Sequence, residues 1–194
     1  MEPEGAIAAA RDEALRKLGR NVANFQKIET CLKFLIAISD VERTPHDLQA
    51  RQTRKAATIR RQPMGVLAEA FYKSVYGAVA ERVPPTDNSN VWISTSFRLE
   101  GDAETIKRHR RALSALVSER NKLIHKDLST FDHNSIRSCH ALIEKLDPQN
   151  VRILEHLAGL KQLIDTFKAQ LAAIQSQLSD DNDPFGAAKN PNDA

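Results

Sequence analysis

Aromatic residues make up only 5% of this 194-residue chain, with seven glycines, eight prolines and two cysteines. Each scarcity excludes something. Few turn formers, beside plentiful Ala, Leu, Lys, Arg, Glu and Gln, favour helix over sheet. Cys31 and Cys139 lie far apart with no CxxC spacing, so a disulfide framework is not expected, and both thiols read as reduced and buried. No apolar run approaches the roughly 18–20 residues that cross a bilayer. The chain starts Met1-Glu2-Pro3-Glu4-Gly5, acidic where a signal peptide is basic. A cytoplasmic protein with no membrane association is therefore expected. Gly-rich phosphate loops, nucleophile elbows and HExxH are missing, and His133, Cys139 and His140 lack zinc-ligand spacing. Neither a metal nor a cofactor is predicted.

What is present is enough for a core. Hydrophobic residues are 41% and charged residues 27%, and the length suits one domain. Net charge is only +3, but the positive residues cluster.

Leu15, Leu18, Val22, Phe25, Leu32 and Ile36 recur at helical spacing and predict a first helix from about Ala6 to about Asp40. Glu29 interrupts that stripe, and a carboxylate there needs a partner. Thr44-Pro45-His46-Asp47 reads as the start of a basic helix carrying Arg51, Arg54, Lys55, Arg60 and Arg61. Pro63 must break it. A further helix is expected from about Met64 to Arg82, with Leu67, Phe71, Val75 and Val79 on one face.

Pro84-Pro85 ends that helix. Residues 84–101 read as an extended, strand-like insertion, because Val91, Ile93, Thr95, Phe97 and Leu99 alternate with Trp92, Ser94, Ser96 and Arg98. Asp102 is positioned to cap a helix from about Ala103 to Asp127. On that helix Arg120, seven residues after Leu113, falls on the apolar stripe. A shorter helix is expected from about Ser135 to Leu146. A new start at Asp147-Pro148 then opens a final helix to Leu178, whose Leu157, Leu160, Ile164, Phe167, Leu171, Ile174 and Leu178 form a heptad seam. The fold class predicted is all-α: an antiparallel helical bundle over residues 1–178, followed by a disordered acidic tail over 179–194.

The segment Glu119-Arg120-Asn121-Lys122-Leu123-Ile124-His125 carries chemistry. With Asn121 directly after the arginine and two aliphatic residues before the histidine, near the end of a long amphipathic helix, it resembles the HEPN family (higher eukaryote and prokaryote nucleotide-binding domains). That family is an all-α bundle with an Arg-x4–6-His motif, commonly with a polar residue after the arginine. Arg120, Asn121 and His125 match the motif one for one. The order and lengths of the helices extend the resemblance loosely over about residues 6–178.

The resemblance implies a metal-independent endoribonuclease of the toxin or phage-defence kind. It implies an RNA substrate, a homodimer with a shared cleft, and a cognate antitoxin or regulatory protein as partner. It also allows members that have lost activity and serve as scaffolds. In the subgroup paired with nucleotidyltransferase antitoxins a tyrosine often lies two residues after the histidine, where this chain has Asp127.

The chemistry is coherent on its own terms. A 2′-hydroxyl attacking the adjacent phosphate needs a group that moves protons near neutral pH, which histidine does. It also needs fixed positive charge on the phosphorane, which arginine supplies. Five α-helical residues rotate about 500°, about 140° net, so His125 is expected at the flank of Arg120, leaving half a site for a symmetric partner to complete. Glu29 and Arg120, the charges on two apolar stripes, are expected to pair, with Glu29 orienting the guanidinium.

Other readings stand beside this one. The basic helix and the run Lys107-Arg108-His109-Arg110-Arg111 are candidate phosphate contacts or plain solvated faces. Trp92 and Phe97 either stack bases or pin the insertion to the bundle. The alternative function is a non-catalytic helical module that binds another protein through the heptad seam.

Overall fold

The computed structural model describes residues 4–43, 48–77 and 93–180. Among these the chain forms helices α1 (Glu4–Ser39), α2 (Leu48–Arg60), α3 (Met64–Val75), α4 (Ala103–Lys122) and α5 (Ile136–Asp180). Strands β1 (Asp40–Arg43) and β2 (Ile93–Ser96) are short, and a π-helical turn spans Leu123–Asp127. The fold is all-α with one small ladder. The Thr44–Asp47 start signal, Val79, Pro84-Pro85, Val91, Trp92 and residues 181–194 of the tail lie outside the described residues.

Helices adjacent in the chain run antiparallel. Lys33 Nζ donates to Arg60 O at 3.0 Å and Lys55 Nζ to Ala37 O at 3.1 Å, so α2 returns along α1. Arg110 pairs with Glu69, and Gly65 faces Val117, so α4 returns along α3. Glu119 meets Arg152 and Asp127 meets Lys145, so α5 returns along α4.

The pairing of α1 with α5 departs from the antiparallel expectation. Lys17 reaches Asp147, Asn21 reaches Gln149, and Cys31 shares a surface cleft with Leu157 and Lys161. Residue numbers rise together, so the two helices are parallel. Five helices alternating in direction leave the first and last pointing the same way, and here they touch.

The core follows the stripes. Ile28, Leu32 and Leu35 of α1 meet Leu67, Phe71 and Val75 of α3, Leu113 and Leu116 of α4, and Leu146, Ile153 and Leu157 of α5. Each such side chain contributes about 1.5–3 kcal/mol by leaving water. The stripes overreach at the ends. Leu15 is 46% exposed, because Ala14 takes the inward position there, and Leu171 and Ile174 of the heptad seam are also exposed.

The expected break before Pro148 is not made, and α5 is continuous through it. The proline has no amide hydrogen for Glu144 O, and α1 docks side chains on the residues around it. Buried Asn21 donates to Leu146 O at 2.8 Å and to Gln149 Oε1 at 3.0 Å. Lys17 and Arg20 hold Asp147, whose carboxyl sits below its ordinary range because both donate to it. Docking on α1 thus overrides the local stop signal.

The strand-like insertion is a strand only over Ile93–Ser96, antiparallel to β1 with Asp40 opposite Ser96 and Arg43 opposite Ile93. The segment after Ser39 therefore enters a strand at Asp40, where the first helix was expected to end. The end of α1 is closed by this region. Phe97 N–H donates to Ser39 O at 2.8 Å, and Arg98 Nη1 donates to the same carbonyl at 3.2 Å. As one of the last carbonyls of α1, it has no partner within the helix. Phe97 is buried edge-on against Phe167, with ring centroids 5.2 Å apart. It pins the segment to the bundle and is not presented to a base.

Candidate functional site

The Arg120–His125 segment is placed by α4. Asp102 caps that helix as its sequence suggests, accepting from Thr105 N–H at 2.8 Å, and this bond holds its carboxyl below the ordinary value. Leu113, Leu116 and Leu123 anchor the inner face. Arg120 lies on that face and is half-buried, whereas Asn121 and His125 are exposed.

The helix does not run regularly to Asp127. After Lys122 it widens into the π-helical turn, closed by Leu128 N–H donating to Leu123 O at 3.1 Å. Buried Leu123 fixes one end, and the extra residue in the turn is absorbed before the chain reverses. Such turns are uncommon and concentrate at functional sites. Each residue in a wider turn rotates the chain less, so His125 comes nearer to the side of Arg120 than the about 140° of a regular helix. The carbonyls at this end are satisfied locally. Ser129 Oγ donates to His125 O at 3.2 Å and to Lys126 O at 2.8 Å, and Thr130 Oγ1 donates to Lys126 O at 3.1 Å. The imidazole of His125 stands at the surface of this capped end.

Glu29 and Arg120 are not brought together. Glu29 accepts from Lys33 Nζ at 2.6 Å, one turn along the same helix, and Lys33 also donates to Arg60 O. The local Glu-to-Lys pair has the favourable order and needs no long-range placement, which is why it forms instead. Arg120 Nη1 donates to Asn121 Oδ1 at 3.2 Å, and among the described residues no carboxylate lies in ion-pair range of it. Lys122 and Lys126 are exposed beside it, so this end of the helix is positively charged.

The carboxylate that fixes this region is Glu119, which the sequence reading passed over. Arg152 Nε and Nη2 donate to its two carboxylate oxygens, both at 2.9 Å, tying the end of α4 to α5. Asp127 is largely buried and faces Lys145 at 3.7 Å. The signal for Glu119 was an acidic residue in a basic stretch with an arginine on the facing helix, but the facing helix was not knowable from spacing.

The other positive candidates divide. Lys55 is engaged with α1 and Arg110 with Glu69, so both are structural. Arg54, Arg60, Arg61 and Arg111 are exposed. Cys139 is fully buried with its thiol toward His133 O, and Cys31 is half-buried, its thiol pushed up by burial. Among the described residues no three His, Cys, Asp or Glu side chains group as a metal site would, and no helix is long and apolar enough to cross a membrane.

Comparison with known proteins gives no relative. No protein-family model, no curated protein and no solved structure matches the chain.

Proposed function

We propose that the chain is a metal-independent endoribonuclease of HEPN type, with Arg120, Asn121 and His125 as its working residues. The observation that supports this most is the state of Arg120. It is a half-buried guanidinium held by a neighbouring amide, with no carboxylate among the described residues in ion-pair range, and the exposed His125 follows it in a π-helical turn. A structural arginine on an apolar stripe would be expected to take an acidic partner.

In this reading the RNA 2′-oxygen forms a bond to the adjacent phosphorus and the P–O5′ bond breaks. His125 takes the 2′-hydroxyl proton, and the departing 5′-oxygen takes a proton from an acid across the cleft. Arg120 stabilises the phosphorane charge, and Asn121 holds its guanidinium. A second copy of the chain supplies the opposing acid, which makes the working form a homodimer. Glu29, engaged with Lys33, has no part in it. A toxin or defence role, with an antitoxin or regulatory partner, follows from the same resemblance.

The test is RNA degradation by purified protein in EDTA, comparing the natural chain with His125→Ala. Cleavage lost in the variant supports the assignment. Equal cleavage by both, or none across a broad RNA panel, overturns it. A second reading, a protein-binding helical module, draws on the exposed Leu171 and Ile174 of α5, and copurification of a partner that Leu171→Asp releases would favour it.

A further inference from the structure

A cavity of about 560 Å³ opens between α3, α4 and α5, well away from His125. That volume suits a small organic ligand. One wall is aromatic: Tyr72 and Tyr76 stack with centroids 5.4 Å apart and planes 19° apart, and Phe71 meets both edge-on. Leu113, Leu160 and Leu163 add apolar lining. Gly159 faces the same space, and a Cβ built on it would meet nothing within 4 Å, so packing does not explain a glycine inside α5.

Charge of both signs lines this cavity. Arg108 and His109 come from α4, and Glu155 and His156 from α5. The opposite charges do not neutralise each other. Arg108 Nη2 donates to Thr105 Oγ1 at 3.3 Å, and among the described residues neither Arg108 nor Glu155 takes part in an ion pair. The Glu119–Arg152 pair fixes how the antiparallel α4 and α5 align. Arg108, eleven residues before Glu119, therefore stands level with Leu163, eleven after Arg152. Glu155 lies eight residues back from Leu163, about 12 Å along α5. The Arg110–Glu69 pair aligns α3 in the same way and sets Tyr72 beside Arg108. One end of the cavity is thus cationic and aromatic, and the other is anionic. Burial holds His156 below the ordinary histidine value, so near neutral pH it offers one donor and one acceptor and no charge.

We propose that this cavity binds a short zwitterionic peptide with an aromatic C-terminal residue: its carboxylate on Arg108, its terminal ring against the Tyr72–Tyr76 wall, and its ammonium group on Glu155. Three extended residues span about 10 Å, which the reach of the two charged side chains brings to the observed separation. A free amino acid carries both charges on one carbon and is too short. The arginine fork suits a carboxylate, which it meets with two parallel hydrogen bonds. Gln162 and His156 each supply a donor and an acceptor for the peptide amides. A purely apolar ligand would leave these groups without partners, and a plain anion would meet the Glu155 carboxylate. Peptide binding here requires no chemistry at His125.

Calorimetric titration of the full-length protein tests this with glycyl-glycyl-phenylalanine, its N-acetyl form, its C-terminal amide form, and free phenylalanine. The free tripeptide should bind at least tenfold more tightly than each of the other three. Glu155→Gln should weaken the tripeptide at least tenfold and leave the N-acetyl form unchanged. Arg108→Gln should weaken the tripeptide likewise and leave the amide form unchanged. Both side chains are exposed, so Tm should stay within about two degrees. Gly159→Leu, which extends into the open space, should abolish binding. The proposal is overturned if the tripeptide does not bind, if a capped form or free phenylalanine binds equally well, if the Glu155→Gln loss is shared by the N-acetyl form, or if Gly159→Leu leaves binding unchanged. RNA cleavage is decided separately, by His125→Ala, and none of these variants touches that residue.

Discussion

Arg152 holds Glu119 with two parallel hydrogen bonds, both 2.9 Å, from the middle of α5 to the last turn of α4. The carboxylate adjoins Arg120 in sequence, so the pair sets where the Arg120 backbone can stand. Fork-to-fork geometry fixes direction as well as distance. Arg152 is about half exposed, so the stabilisation is modest. Glu119→Gln should cost at most about 1 kcal/mol, less at high salt, by urea unfolding. Its effect on RNA cleavage should be larger than that loss implies, with kcat falling several-fold at matched folding.

His125→Ala should reduce cleavage by about 100-fold or more while Tm stays within a degree or two, because the imidazole is exposed. Arg120→Lys keeps the charge and loses the planar fork, so it should recover only part of the rate that Arg120→Ala removes. A gel assay in EDTA reads both.

Asn21→Ala should be strongly destabilising although the side chain is far from His125. Its amide is fully buried and donates to Leu146 O and Gln149 Oε1 beside Pro148. Removing it takes a buried donor from Gln149 Oε1 and from Leu146 O, at about 1–3 kcal/mol. Urea unfolding should show that loss, and circular dichroism should show no change in native helix content.

His156 gives a pH signature. Burial is the main cause of its lowered value, His109 adds to it, and Glu155 and Glu119 oppose it. The unfolded chain therefore binds this proton more readily than the folded one. The contribution is whole above the unfolded histidine value, about 6.5, and is lost as pH falls through the lower folded value. Tm should drop as pH falls below about 6.5 in the natural chain and drop less in His156→Gln. The carboxylates held low by hydrogen bonds, Asp102 and Asp147, act in a separate and more acidic window.

Helical periodicity was legible, and so was most of the core: the stripes through Leu32, Leu67, Leu113 and Leu157 are buried as spacing requires. Local stop signals were less reliable. Pro63 ends α2, but Pro148 does not end α5, because Asn21 and Lys17 arrive from a helix far away in sequence. The partner of Glu29 was misread for the opposite reason: Lys33, four residues on, was the nearer solution. The cavity was invisible, since Tyr72, Gly159 and His156 become neighbours only once three helices are assembled.

The parallel contact of α1 with α5 has a consequence for biosynthesis. Lys17 and Asp147 are 130 residues apart in the chain. A ribosome adding about 5–20 residues per second leaves α1 without its mate for on the order of ten seconds. During that interval Ile28, Leu32 and Leu35 lack the cover of Leu146, Ile153 and Leu157. A truncation before α5 should therefore accumulate as aggregate and not as a smaller bundle.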